Sequence, residues 1–140
     1  MAHDITTQWK GKMLLESDNP SGNTLLIETS PDFEGTGTGL NPKALMLTSL
    51  AGCTGLDLLS LFKKMRVELD DIIIKVHGEL TEEHPIYYHS VNVNYHFYGT
   101  DINEAKVNKA VNLSEERYCG VMKMFRQFAR VTTEIHFHDQ

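Results

Sequence analysis

The stretch from Pro42 to Arg66, PKALMLTSLAGCTGLDLLSLFKKMR, constrains the fold more than any other part of the chain. Asn41 offers a side-chain cap to free helix amides and Pro42 suits the first helical position, so the pair predicts a helix start. From there the residues run apolar for about six turns at 3.6 residues each. Leu45, Leu47, Leu50, Leu56, Leu58, Leu59, Leu61 and Phe62 surround the helix instead of forming one stripe. A helix that is apolar all round is buried on all sides. Lysines, an aspartate and small polar side chains interrupt the run, which favours burial in protein over burial in lipid. The closing KKMR, residues 63–66, sets three cations at the negative end of the helix dipole.

Within that helix Gly52 and Gly55 bracket Cys53. Each glycine costs about 1 kcal/mol relative to alanine in a helix interior. The position therefore predicts either a close backbone approach or a thiol that must stay reachable. Only one other cysteine exists, Cys119.

The flanking segments read as strands and short helices. Residues 5–16 and 23–29 flank the turn-forming DNPSG and predict an antiparallel hairpin. Residues 30–42, SPDFEGTGTGLNP, form a loop whose glycines fit a tight connection and match no P-loop. In residues 67–80, Ile72, Ile74, Val76 and Gly78 alternate with Ile73, Lys75, His77 and Glu79. In residues 88–99, Val91, Val93, Tyr95 and Phe97 oppose Asn92, Asn94, His96 and Tyr98, so the sheet has one wet face. EEHP, residues 82–85, is the turn between these two strands. Asp101 to Glu104 predicts a capping-box start for a helix through about residue 111. Ser114 predicts the cap of a second helix, SEERYCGVMKMFRQFA, with Leu113 and Tyr118 as its staple. VTTEIHFHD predicts the last strand.

The order β-β-α-β-β-α-α-β is an α+β fold. No repeat, low-complexity tract or linker divides it, so residues 1–140 read as a single domain. One small sheet covers only one side of the apolar helix. Its other faces predict an intertwined homodimer, with antiparallel sheets packed around a buried central helix.

Composition narrows the setting. A net charge of −6 without a basic run argues against nucleic acid as a partner. The hydrophobic share of 41% and charged share of 23% are those of an ordinary soluble protein with no membrane role. MAHDITTQWK lacks the apolar core of a secretory signal, which points to the cytoplasm. Thiols are kept reduced there, and a disulfide between Cys53 and Cys119 would be catalytic before it was structural. Their spacing matches no zinc or thioredoxin motif.

NPKALMLTSLAGCTGLDLLSLFKKMR, followed far downstream by LSEERYCGVM, resembles the OsmC/Ohr family, named for osmotic induction and organic-hydroperoxide resistance. The resemblance lies in a Pro-led helix with LAGC and a second helix carrying YC, and the element order agrees across nearly the whole chain. It implies the OsmC/Ohr-like fold and an obligate homodimer with cysteines near the subunit interface. It further implies thiol-dependent reduction of organic hydroperoxides. On the matching positions, Cys53 would be the peroxidatic thiol and Cys119 the resolving one. No bound metal, haem or flavin is implied; an external dithiol, such as a lipoylated protein, would reset the disulfide.

Active members of that family also use an arginine from the N-terminal strand region and a glutamate just after the helix-starting proline. Here Lys43 follows Pro42, and no arginine precedes Arg66. Asp57, four residues after Cys53, shares its helix face and is a possible helper. A carboxylate alone raises a thiol pKa, so Asp57 helps only by holding a cation such as Lys10, Lys12 or Arg117. The Cys-x-x-x-Asp pattern also resembles the less characterised OsmC-like branch.

Other groups read more plainly. His136 and His138 share a strand face, as a zinc pair does, but no third ligand is placed by spacing. His77, His89 and His96 fall on or near the wet face. Glu115, Glu116 and Asp101 read as first-turn charges, and Met13, Met46, Met65, Met122 and Met124 as core filler. Two functions follow as expectations: a thiol peroxidase, or a non-catalytic or redox-sensing homodimer that binds an apolar small molecule.

Overall fold

Asn41 caps α1 (Pro42–Met65), its Oδ1 accepting the Ala44 amide at 3.0 Å, in the computed structural model, which describes residues 1–140. At the other end of α1, Lys106 Nζ donates to the Met65 carbonyl at 2.9 Å and neutralises the negative helix terminus. The chain divides into two compact units, Met1–Met46 and Leu47–Gln140.

The first unit holds a three-stranded antiparallel sheet of β1 (Thr7–Trp9), β2 (Leu14–Ser17) and β3 (Leu25–Glu28), in that order. The continuous strand expected over residues 5–16 is instead two strands. Gly11 and Lys12 both adopt positive φ and reverse the chain between them. None of this unit's apolar side chains is fully buried, and Ile5, Trp9, Met13 and Leu15 are exposed.

The buried groups of the first unit are polar. Glu28 anchors the glycine-rich loop, its carboxylate accepting from Thr36 Oγ1 at 2.8 Å and from the amides of Thr38 and Gly39 at 3.0 and 3.3 Å. The amides that a phosphate-binding loop would present to an anion are thus occupied by an internal carboxylate. A side chain at Gly39 would put a Cβ 2.6 Å from that of Glu28, so the turn requires glycine.

The second unit contains β4 (Asp71–Leu80), β5 (Tyr88–Gly99), α2 (Glu104–Leu113), α3 (Gly120–Phe125) and β6 (Arg130–Asp139). The two predicted alternations hold: Val91, Val93, Tyr95 and Phe97 are fully buried, while Asn92, Asn94, His96 and Tyr98 face the other way. β5 lies between β4 and β6, antiparallel to β4 and parallel to β6. The sheet is therefore mixed and not purely antiparallel. The helical crossover over residues 104–125 returns the chain to the end of the sheet where β5 began.

Along α1 the buried residues Leu50, Thr54, Leu58 and Phe62 recur every fourth position and enter the core of this unit. Phe62 meets Phe97 edge-on at 5.8 Å between ring centres. Each leucine or phenylalanine so buried contributes about 1.5–3 kcal/mol. By length and composition alone α1 is apolar enough to cross a bilayer, yet this stripe is packed against the strands. Burial on all sides, as the sequence predicts, is not met within one chain. Leu56 and Leu59 remain 70% and 56% exposed. The methionines divide likewise: Met122 is buried, whereas Met13, Met46 and Met124 are exposed.

The second helical segment departs most from expectation. Asn103 caps α2 through the Lys106 amide at 3.1 Å, and Asp101 lies outside it with φ of 50°. Ser114 starts no new helix. It continues α2 into a five-residue π-helical turn, Ser114–Tyr118, closed by the Cys119 amide on the Ser114 carbonyl at 2.7 Å. The backbone then extends at Cys119 before α3 begins.

Glu28 yields a pH prediction. Burial pushes its carboxyl up, but the hydrogen bonds from Thr36, Gly39 and Thr38 outweigh burial and hold it below the ordinary value of 4.5. A depressed carboxyl stabilises the fold above its unfolded pKa, and that contribution is lost as pH falls through the folded one. Urea midpoints should therefore drop on acidification below about pH 4.5, and less steeply in Glu28→Gln than in the wild type.

Candidate functional site

Cys53 and Asp57 sit one turn apart on α1, and Cys119 lies at the junction between the π turn and α3. The fold brings these three together. The two sulfurs and an Asp57 carboxylate oxygen all lie within 4.8 Å of one another. Both cysteines are free thiols; Cys53 is half-buried and Cys119 only 4% exposed.

Two attachments hold the π turn in place. On the α1 side, Ser114 Oγ donates to Asp57 Oδ2 at 2.9 Å. On the sheet side, Glu115 accepts from Tyr95 Oη at 2.8 Å and from Thr133 Oγ1 at 2.8 Å. Arg126 completes the anchor, donating to the Glu115 carbonyl at 3.0 Å with its guanidinium 3.8 Å from the carboxylate. Glu115 is thus no first-turn surface charge: its side chain is 9% exposed and ties the turn to β5 and β6. The sequence carried no sign of this, because its partners lie 20 and 18 residues away on strands. Glu116 stays exposed and pairs with Arg126 at 3.1 Å.

The electrostatics are those of a site lacking a positive charge. Burial first, then the Cys53 thiol and the Asp57 carboxylate, push the Cys119 thiol up to about 12 from 9.0. The Met122 amide, which donates to Cys119 Sγ at 3.2 Å, pulls the other way without prevailing. No lysine or arginine of the same unit forms an ion pair with Asp57. Lys10 pairs with Glu16 at 4.0 Å, and the Arg117 guanidinium lies over the Tyr118 ring. Asp57 instead positions Ser114, and through the Ser114 carbonyl the Cys119 amide.

The flanking glycines have different surroundings. A Cβ at Gly55 would come within 3.1 Å of Ile74 Cδ1, so this glycine lets α1 approach β4. Gly52 faces open space. Beside them an apolar cleft of about 620 Å³ is lined by Leu56, Leu59, Phe62, Val67, Leu69 and Ile74, with Lys63 and Asp70 also on its wall. Neither cysteine lines it.

The histidines gather elsewhere, on the outer face of the second sheet. His96 stacks on His136 at 4.6 Å and on His138 at 5.2 Å, and its Nδ1 meets His138 Nε2 at 2.9 Å. His136 Nε2 is engaged by Asn94 Oδ1 at 2.9 Å. His96 is therefore half-buried in a stack and not fully solvated, and desolvation, with His136, Lys75 and His138, holds its pKa below 6.5.

Against known proteins, the family model described as OsmC-like protein matches residues 35–134. The chain belongs to the OsmC-like family. Its relatives include Protein YhfA of Escherichia coli (strain K12), 26% identical over 125 residues that span 89% of this chain and 90% of that protein. Among solved structures, a hypothetical protein from Aquifex aeolicus VF5 superposes with a TM-score of 0.81 at 26% identity, covering 99% of each chain. The organic hydroperoxide resistance protein OhrB of Bacillus subtilis superposes at 0.67 and 21% identity, covering 96% of this chain and 98% of that one, a likeness of fold.

The raised Cys119 thiol sets a second pH expectation. The folded state keeps its proton between pH 9.0 and about 12, where the unfolded chain gives it up. That stabilisation is complete below 9 and lost as pH rises toward 12. Urea midpoints should fall across this window in the wild type and stay flatter in Cys119→Ser. Near neutrality, mass spectrometry after brief alkylation should find Cys53 modified before Cys119.

Proposed function

We propose that this protein is a thiol-dependent reductant of organic hydroperoxides, acting through Cys53 and Cys119 as a homodimer. The observation that carries the reading is the proximity of the two sulfurs, within 4.8 Å, with the less buried one on α1. The organic hydroperoxide resistance protein OhrB shares this fold.

In the first step the Cys53 thiolate attacks the terminal peroxide oxygen. The O–O bond breaks, the alkoxide takes a proton and leaves as the alcohol, and sulfur becomes a sulfenic acid. Cys119 sulfur then attacks Cys53 sulfur; the S–OH bond breaks, water leaves and a disulfide forms. An external dithiol of the lipoyl class returns both thiols by exchange and is itself oxidised to its disulfide. Asp57 is a positioning residue here: through Ser114 it holds the turn that presents Cys119.

Purified wild-type protein with dihydrolipoamide should consume cumene hydroperoxide catalytically. Cys53→Ser should fall to background, and Cys119→Ser should stop after one turnover with sulfenic acid on Cys53. Consumption by the wild type at the uncatalysed rate would overturn the proposal.

The apolar cleft favours a second reading, a homodimer that holds an apolar small molecule beside α1. Exposed Leu56 and Leu59 supply its lining and lie on the helix face that the chain leaves uncovered. Native mass spectrometry should then give twice the chain mass with a retained apolar molecule, unaffected by Cys53→Ser. A bare monomer would count against both the ligand and the dimer.

A further inference from the structure

We propose that Cys53, Asp57 and Cys119 form a binding site for a thiophilic divalent cation of the Zn²⁺ class. Three donor atoms of the kinds that bind zinc converge here from two separate segments, all within 4.8 Å of one another. Tetrahedral zinc with bonds of about 2.3 Å to sulfur and 2.0–2.2 Å to oxygen holds two sulfurs and an oxygen about 3.5–3.8 Å apart. The observed grouping, within 4.8 Å, exceeds that spacing by no more than about 1 Å.

The surroundings suit an ion better than they suit an empty anionic cluster. Two potential thiolates and a carboxylate face one another, and no lysine or arginine of this unit pairs with the carboxylate. A divalent cation turns that mutual repulsion into ligation. Outer hydrogen bonds are already arranged as metal ligands require: Ser114 Oγ donates to Asp57 Oδ2, and the Met122 amide donates to Cys119 Sγ. Ser114 takes up one lone pair of one Asp57 oxygen, and a carboxylate has further lone pairs with which to coordinate. Half-buried Cys53 gives an entry path. The fourth tetrahedral position is left to water or an anion.

Coordination displaces the two thiol protons to solvent and changes no oxidation state. It also occupies the sulfur lone pairs that would attack a peroxide, so ion binding and the thiol chemistry proposed above exclude each other. The ion site itself requires only the three donors and not that chemistry.

Cobalt(II) serves as the probe. Added to reduced, desalted full-length protein, Co²⁺ should produce a thiolate-to-cobalt charge-transfer band that saturates at one ion per chain and is displaced by Zn²⁺. Cys53→Ser and Cys119→Ser should each lose most of its intensity, and Ser114→Ala should keep the band with affinity about 10–100-fold weaker. A measurement on the wild type alone guards against misfolded variants: Zn²⁺ should protect both cysteines from alkylation, and EDTA should restore it. No charge-transfer band with the wild type, or a band surviving in the Cys53→Ser/Cys119→Ser double variant, would overturn the site. Neither readout involves peroxide, so the failure of one proposal leaves the other standing.

Discussion

A five-residue π turn, held from two sides, fixes where Cys119 lies. An α-helical continuation of α2 would rotate consecutive side chains by about 100°. The wider turn instead lets Ser114 reach Asp57 on α1 while its neighbour Glu115 reaches Tyr95 and Thr133 on the sheet. Both contacts involve a carboxylate accepting hydroxyl hydrogen bonds, a type worth about 1.5–3 kcal/mol each. Between them the turn cannot slide along either surface. Its last backbone bond, from Cys119 to Ser114, sets the sulfur against Cys53.

The same arrangement explains why the sheet carries polar groups in its interior. Tyr95 is fully buried, and its phenol is held protonated far above its ordinary pKa by burial and by Glu115. That proton is what makes Tyr95 a reliable donor to the carboxylate. No buried side-chain nitrogen or oxygen lacks a partner, so this network adds rigidity without leaving an uncompensated group.

The parts legible in the sequence are those whose signal is local. Asn41-Pro42 announced its own helix cap, and the period-two pattern of β5 named its buried face residue by residue. The cysteine pair was legible only through a family resemblance, since nothing in the spacing of Cys53 and Cys119 says that they meet. What stayed hidden depends on partners remote in the chain. Glu115 looks like any acidic residue near a helix start until Tyr95 and Thr133 enclose it. The glycine-rich loop reads as a tight connection that matches no P-loop, and nothing in its sequence says that its amides bind the Glu28 carboxylate. The parallel pairing of β6 follows from the path of the crossover, which side-chain alternation does not encode.

The charge around the sulfurs is the remaining constraint on chemistry. In active members of the family, as the resemblance describes them, an arginine and a glutamate accompany the attacking thiol. In this chain an acid, Asp57, lies one turn along the helix from Cys53 and within 4.8 Å of both sulfurs, while Lys43 follows Pro42. An acid without its base opposes thiolate formation nearby, and at Cys119 it adds to the larger effects of burial and of the Cys53 thiol. Positive charge brought to the site favours the anionic form of sulfur. A second copy of the chain or a substrate group supplies such charge while leaving the sulfurs free to attack, whereas a metal ion held by the three donors takes up their lone pairs.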